Sequence, residues 1–273
     1  MDLQLAGKTV FVTGASGGIG SVIARSFVAE GAHVGVHYRS NQASAETLVT
    51  EFGSQAAVAV GGDLTDETVV DAAFAGVAER FGTIDILIAN AGVWPSAHVP
   101  IHEMTVAQWE ATLDTNLKSV FLCCRRFIQQ VATHQIEAPA IVMIGSTAGV
   151  FGEAGHGDYA ASKAAIISGL NLTLKNEIAQ VAPLGRVNVV NPGWVVTPMA
   201  RKFTDDGQSI KDALATISLR KVASPQDIAN ATLFLASSQV AGHITGQALT
   251  VSGGMEGRKL YAEEALDLNR AIP

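Results

Sequence analysis

The stretch Thr13-Gly14-Ala15-Ser16-Gly17-Gly18-Ile19-Gly20 closes a short β-branched run at residues 9–13 and opens a helix-length amphipathic segment at residues 18–30. Glycine accepts positive φ and, lacking Cβ, lets a ligand approach backbone N–H groups, while a helix N-terminus behind the turn adds partial positive charge. Strand, glycine-rich turn and helix together predict a cradle for the pyrophosphate of a dinucleotide. The plainer alternative is a tight strand-to-helix turn and nothing more. The spacing is not G-x-G-x-x-G, and no Lys follows as a P-loop requires. Gly14, Ser16 and Gly18 also spell G-x-S-x-G, the nucleophile elbow of serine hydrolases. Those enzymes place an oxyanion loop and earlier strands before the elbow. Here thirteen residues precede Gly14, so a hydrolase using Ser16 is the weaker reading.

Outward from the turn, short apolar runs at 9–13, 33–38, 56–60, 84–89, 140–145, 186–191 and 248–252 alternate with helical patterns at 18–30, 43–51, 66–80, 105–133, 159–181 and 225–237. That alternation predicts an α/β protein with a parallel sheet covered by helices on both faces. Ser224 followed by Pro225 reads as an N-cap and first turn. At about 150 residues per domain, 273 residues allow one domain or two. No linker or repeat interrupts the pattern, so one domain is expected over residues 1–254, with a C-terminal extension at 255–273. Residues 193–222 escape the alternation and read as a substrate lid or a surface excursion.

Composition excludes several classes. With 48% hydrophobic and 16% charged residues the chain is globular rather than disordered. Eighteen Lys and Arg against 25 Asp and Glu leave a net charge of −7 without a basic run, which argues against nucleic acid or an anionic membrane as partner. The two cysteines, Cys123 and Cys124, are adjacent in a helical pattern and form no disulfide or metal spacing. His98, His102 and Glu103 are interrupted by Pro100, so a solvated loop is expected there and no metal site. No signal-like segment opens the sequence and no apolar run approaches the ~20 residues that span a bilayer, so a cytoplasmic protein is expected.

The second run ends His37-Tyr38-Arg39-Ser40-Asn41. An acid there would bind an unphosphorylated ribose 2′-hydroxyl; Arg39, a planar donor, suits a 2′-phosphate instead. NADP(H) is therefore expected ahead of NAD(H). Farther along, Tyr159 and Lys163 stand four apart in Tyr159-Ala160-Ala161-Ser162-Lys163, neighbours on one helix face. An ammonium ~5 Å from a phenol in an effective dielectric of ~20 contributes roughly 3 kcal/mol, about two pKa units, toward the phenolate. That would bring Tyr159 into range for proton transfer.

The glycine-rich turn, Ala89-Asn90-Ala91-Gly92, Asn116, Ser146, Tyr159 to Lys163, and Pro192-Gly193 occur in one order. Together they resemble the classical short-chain dehydrogenase/reductase family, over roughly residues 5–254. The resemblance implies a single Rossmann domain, a seven-stranded doubly wound parallel sheet ordered 3-2-1-4-5-6-7 with helices on both faces. It implies interconversion of a ketone and a secondary alcohol by hydride transfer, with Tyr159 as general acid and base. Lys163 would lower the Tyr pKa and hold the nicotinamide ribose, Ser146 would bind the substrate oxygen, and Asn116 would hold a relay water. Cofactor positions would be Gly14, Ser16, Gly17, Gly18, Ile19, Gly20, Tyr38, Arg39, Ser40, Asp63, Leu64, Asn90, Ala91, Gly92, Pro192, Gly193, Val195 and Thr197, besides Tyr159 and Lys163. Gly17 departs from NADP-preferring relatives that carry Arg or Lys there, which puts the 2′-phosphate assignment on Arg39.

Residues following the strand ends predict a mainly apolar substrate pocket of Ser146, Thr147, Trp94, Val150, Phe151, His156, Trp194, Met199 and Phe203, suited to a hydrophobic or aromatic ketone. His156 is its polar discriminator or a loop histidine. A 3-oxoacyl-carrier-protein reductase is the alternative within the family, although Arg125 and Arg126 have no further basic cluster behind them. A non-catalytic dinucleotide-binding regulator is the alternative of another class. The family implies a homotetramer, and apolar residues such as Val120, Phe121, Ile166 and Leu170 either serve it or pack within one subunit. Leu260, Tyr261, Leu266, Leu268 and Ile272 equip the tail to pack or leave it to fray.

Overall fold

Along β1 (Thr9–Val12) Val10 and Val12 join the buried cluster on one face of the sheet and Phe11 joins the cluster on the other. The same alternation runs along β4 (Ile86–Ala89), where Ile86 and Ile88 oppose Leu87 and Ala89. Strands buried on both faces cannot alternate apolar with polar, which is why these runs read as continuous hydrophobic sequence. The computed structural model describes residues 2–197, 208–255, 264 and 266–271. Its seven parallel strands lie in one sheet ordered 3-2-1-4-5-6-7: β3 (Ala57–Gly61), β2 (His33–Tyr38), β1, β4, β5 (Ala140–Ile144), β6 (Arg186–Pro192) and β7 (Ala248–Val251). All seven fall within two residues of the sequence patterning.

One face is covered by α1 (Gly18–Ala29) and α10 (Pro225–Ala236), which bring Ile23, Phe27, Ile228 and Leu233 to the core. The other face takes α3 (Glu67–Phe81), α5 (Ser119–His134) and α8 (Asn171–Val181), with Phe74, Phe127 and Ile178. Each such buried side chain contributes about 1.5–3 kcal/mol. Ser224 and Asp227 form a reciprocal capping box with Pro225 at the first turn of α10, as the Ser-Pro pair suggests.

The two long helical patterns do not stay continuous. A π-helical turn at Asp114–Lys118 separates α4 (Val106–Leu113) from α5, and another at Ala165–Leu170 separates α7 (Gly157–Ala164) from α8. One added residue shifts the apolar stripe once, by about 100°, and in helices with apolar residues on more than one face such a slip is not read from sequence patterning. The first of these turns carries the fully buried Asn116.

Beyond β6, α9 (Gln208–Leu214) brings Ile210 and Leu214 together with Ile217 and Val222 in a small core of their own, against which Trp194, Val196, Met255 and Leu266 pack. The 208–222 part of the predicted lid is therefore folded, and Leu266 ties the tail to it. Met199, Phe203, Leu260, Tyr261 and Ile272 lie outside the described residues. Among the described residues no helix is long and apolar enough to cross a membrane.

β1 pairs with β2 on one side and with β4 on the other, so the chain reverses its direction of travel across the sheet between β1 and β4. Ligands bind at such a switch point, outside the carboxyl ends of the strands. There Thr13 Oγ1 accepts the N–H groups of Asn90 and Ala91, both at 2.9 Å, lacing the two strand ends together.

Candidate active site

A cleft of about 500 Å³ runs along these strand ends, lined at one end by Gly14, Gly17, Gly18, Ile19, Gly20, Asn90, Ala91 and Gly92. Gly14 has φ +64°, and a Cβ at Gly20 would stand 2.4 Å from the Gly14 carbonyl oxygen, so a side chain is excluded there. Gly17, the N-cap of α1, offers no side-chain cap, and the first turn holds no acidic residue. Helix N–H groups left without a partner beside the cleft fit a pyrophosphate. Asn90 Nδ2 donates to the carbonyls of Thr13 and Gly14 at 2.9 and 3.2 Å.

His37, read only as part of the β2 end, holds this turn in place. Its Nδ1 accepts the Gly14 N–H at 3.0 Å and its Nε2 lies 3.0 Å from the Gly62 carbonyl, an arrangement that only the neutral Nε2–H tautomer satisfies. Burial holds its proton affinity below the usual histidine value, opposed by the Gly62 bond and the Asp63 charge. Cofactor affinity is therefore expected to stay level from pH 8 down through 6.5 and to fall only at more acid pH, when protonation removes the acceptor for Gly14. His37→Asn should abolish that acid limb in a fluorescence titration of the cofactor; an unchanged limb would show that another group is responsible.

The same geometry removes the hydrolase reading. Both His37 nitrogens are committed, and Ser16 meets its surroundings through its backbone: its N–H donates to the His37 carbonyl, and its carbonyl accepts from Ser44 Oγ at 3.3 Å. Among the described residues no base is hydrogen-bonded to its hydroxyl. Arg39 and Ser40 are exposed at the end of β2, and the Tyr38 ring lies over Gly61. Asp63 is held below the usual carboxylate range chiefly by the Thr65 N–H, with weaker pulls from Arg39 and His37. Tyr38, Arg39, Ser40, Asp63 and the buried Leu64 adjoin the turn without lining the main cavity.

At the other end of the cleft Ser146, Tyr159 and Lys163 converge from the end of β5 and from α7. Lys163 is buried, its Nζ donates to the Ile144 carbonyl at 2.9 Å, and desolvation lowers its pKa to about 8. Tyr159 is raised above its ordinary value by burial, against a hydrogen bond with Ser146 that lowers it; the Glu153 charge raises it further. Lys163 Nζ lies 5.8 Å from the Tyr159 ring centroid. The expected pull toward phenolate is outweighed in this structure by the burial of the phenol, and Tyr159 keeps its hydroxyl proton at neutral pH.

Asn116 does not line the cleft. Its Oδ1 accepts from the Val93 N–H at 2.7 Å and its Nδ2 donates to the Val93 carbonyl at 2.9 Å, fixing the loop that follows β4. Pro192, Gly193, Trp194, Val195 and Thr197 close the cleft from the end of β6, and Trp94, Thr147 and His156 line it beside Tyr159. Val150 does not: the one-turn helix α6 (Ala148–Phe151) sends Ala148 to the cleft and leaves Val150 and Phe151 each 47% exposed. Sequence reading missed Glu153, which lines the cleft, and Asp158, which is buried directly before Tyr159. Glu153 sits in a loop between Gly152 and Gly155, where no periodicity marks which side chains face inward.

A family model described as enoyl-(acyl carrier protein) reductase matches residues 14–256. The chain belongs to the classical short-chain dehydrogenase/reductase family. It is 35% identical over 258 residues to a 3-oxoacyl-[acyl-carrier-protein] reductase of Chlamydia trachomatis, covering 93% of this chain and all of that one. It is 37% identical over 257 residues to 3beta-hydroxysteroid dehydrogenase 1 of Eggerthella lenta, covering 92% and 95%. Among solved structures, a putative gluconate dehydrogenase of Agrobacterium tumefaciens superposes with a TM-score of 0.85 at 28% identity, covering 93% and 98%. As a short-chain dehydrogenase/reductase this protein is an oxidoreductase acting on CH–OH groups, in a family that uses NAD(P)(H).

Proposed function

We propose that this short-chain dehydrogenase/reductase is an NADP(H)-dependent enzyme that interconverts a ketone and a secondary alcohol on a small molecule. The observation that carries the reading is the meeting of Ser146, Tyr159 and Lys163 in one cleft with the glycine-rich cradle. Bound NADPH supplies the hydride. Ser146 and Tyr159 hold the carbonyl oxygen, and the Tyr159 hydroxyl, proton-bearing in this environment, passes its proton to that oxygen as the C=O bond becomes C–O. Lys163 orients the nicotinamide ribose and returns a proton toward Tyr159. A full set of these groups favours turnover over a regulator that only binds the dinucleotide. NADPH consumption against a panel of ketones, aldehydes and acyl thioesters tests the reading; tight binding with no consumption by any of them would overturn it.

Arg39, beside Ser40 and the N-terminus of α2 (Gln42–Phe52), supports the preference for NADP(H) over NAD(H). Arg39→Glu is expected to weaken NADPH about 10- to 100-fold, the loss of a charge-assisted bond, and to leave NADH binding within threefold. Equal affinity for NADPH in parent and variant would defeat the assignment.

The curated relative named for 3-oxoacyl-carrier-protein keeps a second reading in view. Against it, Arg125 pairs with Glu67, and Arg126 pairs with Asp71 at 2.9 Å, so the adjacent arginines are engaged on α3 rather than presented as a basic docking face. Turnover of a short acyl thioester faster than of any free ketone would reverse the preference. The domain reading (residues 1–254 as one Rossmann domain, 193–222 as its lid) and a cytoplasmic homotetramer go with the proposal. Phe121 on α5 and Leu172 on α8 are exposed apolar residues suited to subunit contacts.

A further inference from the structure

The substrate wall of the cleft contains two hydrogen-bonding side chains that the reaction outlined above does not use. His156 is only 7% exposed, yet neither ring nitrogen has a hydrogen-bond partner among the described residues; Nδ1 is occluded, which leaves Nε2 as the atom that a ligand can reach. Buried polar groups in folded proteins are satisfied by something, and one that lines a cavity without a protein partner is available to a ligand. Three residues earlier the exposed Glu153 lines the same cleft, where the His98 charge acts on it, and its carboxyl makes no hydrogen bond or ion pair among the described residues. The His156 N–H donates to the Glu153 carbonyl at 3.1 Å, so the two are fixed on one short loop directly before Tyr159. Glu153, His156 and Tyr159 line one cleft.

An aromatic wall stands beside them. The Trp94 ring lies 4.1 Å from the His156 ring and 4.7 Å from the Tyr159 ring, centroid to centroid. Trp94 gives an apolar face for carbon skeleton; Glu153 and His156 give hydrogen bonds at its edge. The charge balance selects among polar groups. A substrate carboxylate or phosphate would be repelled by Glu153. A substrate ammonium would be drawn to Glu153 but would share the cleft with the Lys163 charge. A neutral hydroxyl, donor to one partner and acceptor from the other, meets neither cost.

Resting on the ketone–alcohol reading, we infer that Glu153 and His156 recognise a hydroxyl group next to the reacting carbon, so that the substrate class is a neutral hydroxy ketone and its vicinal diol. Trp94, Thr147, His156 and Trp194 line the cleft as the sequence suggests, while Val150 and Phe151 do not, and the hydroxyl contact adds a polar point to that mainly apolar wall.

The test compares 2-hydroxycyclohexanone with cyclohexanone, using NADPH. The parent enzyme is expected to favour the hydroxylated ketone about tenfold in kcat/KM. Glu153→Ala and His156→Phe are each expected to bring that ratio below about three, chiefly by raising KM for the hydroxy ketone, with NADPH affinity unchanged. Reduction of both ketones by the parent at equal kcat/KM, or an unaltered ratio in both variants, overturns the inference and leaves the ketone–alcohol reading standing. Consumption of NADPH with neither ketone overturns this inference, and the ketone–alcohol reading falls with it only if the wider panel fails as well. Binding is read separately in Tyr159→Phe loaded with NADP, where quenching of tryptophan fluorescence should show trans-1,2-cyclohexanediol binding about tenfold tighter than cyclohexanol; equal affinities count against the inference.

Discussion

Tyr159→Phe is expected to lower kcat for ketone reduction on the order of 10³-fold, within the range for loss of a positioned acid or base, while NADPH affinity stays within twofold. The substitution removes one oxygen and leaves the ring in place against Trp94. It deprives Ser146 of its partner and the substrate oxygen of its proton, but touches none of the groups that build the glycine-rich cradle. The split between kcat and cofactor binding is therefore the diagnostic feature. The pH profile gives a second reading of the same chemistry. Tyr159 lies above its ordinary value and keeps its proton at neutral pH, whereas Lys163 is lowered from 10.5 to about 8. Reduction needs the proton-bearing forms, so the parent rate should hold below pH 8 and decline as Lys163 deprotonates above it. The residual rate of Tyr159→Phe should lack that alkaline decline. A variant within tenfold of the parent would remove Tyr159 from the proton transfer.

How much of this was legible in the sequence depends on whether a feature is local. The turn at Thr13 to Gly20 is local: its glycines are demanded by a positive φ at Gly14 and by the Gly14–Gly20 approach, and both show in residue type alone. Strands buried on two faces announce themselves as unbroken apolar runs, and Tyr159 with Lys163 needed only helical spacing. What stayed hidden depends on groups brought from afar. The role of His37 arises because Gly14 and Gly62, 23 and 25 residues away, meet its two nitrogens. Each π-helical turn shifts the apolar stripe only once, so Asn116 reads as one more position on a continuous helix. Whether Val150 or Glu153 faces the cleft is decided by a one-turn helix and a glycine-flanked loop, too short for any pattern. Spacing likewise gives the distance from Tyr159 to Lys163 but not the desolvation of the two groups.

Asp158→Ala is expected to lower both stability and turnover, because this fully buried side chain joins the helix of Tyr159 to the rest of the fold. Its Oδ1 accepts the Tyr159 N–H at 2.8 Å, and its Oδ2 accepts from Thr112 Oγ1 at 2.7 Å and Gln108 Nε2 at 3.2 Å. Thr112 and Gln108 belong to α4, so one carboxyl group anchors the first turn of α7 to the helix preceding Asn116. Truncation leaves buried donors without acceptors, at about 1–3 kcal/mol for each one left unsatisfied. Partial relaxation and the exposure of Gln108 reduce the sum, and a loss of about 3 kcal/mol is expected in denaturant unfolding. A shift of the Tyr159 hydroxyl by about 1 Å costs roughly 10²-fold in rate, so kcat should fall by that order, with NADPH affinity nearly unaltered. Asp158→Asn keeps acceptor oxygen for the Tyr159 N–H or for Thr112 and should recover most of both losses. In a cycle with Thr112→Val, the two changes should couple by about 0.5–3 kcal/mol, since they remove the same bond. Full activity in a destabilised Asp158→Ala would separate the two effects and show that α7 places Tyr159 correctly without this anchor.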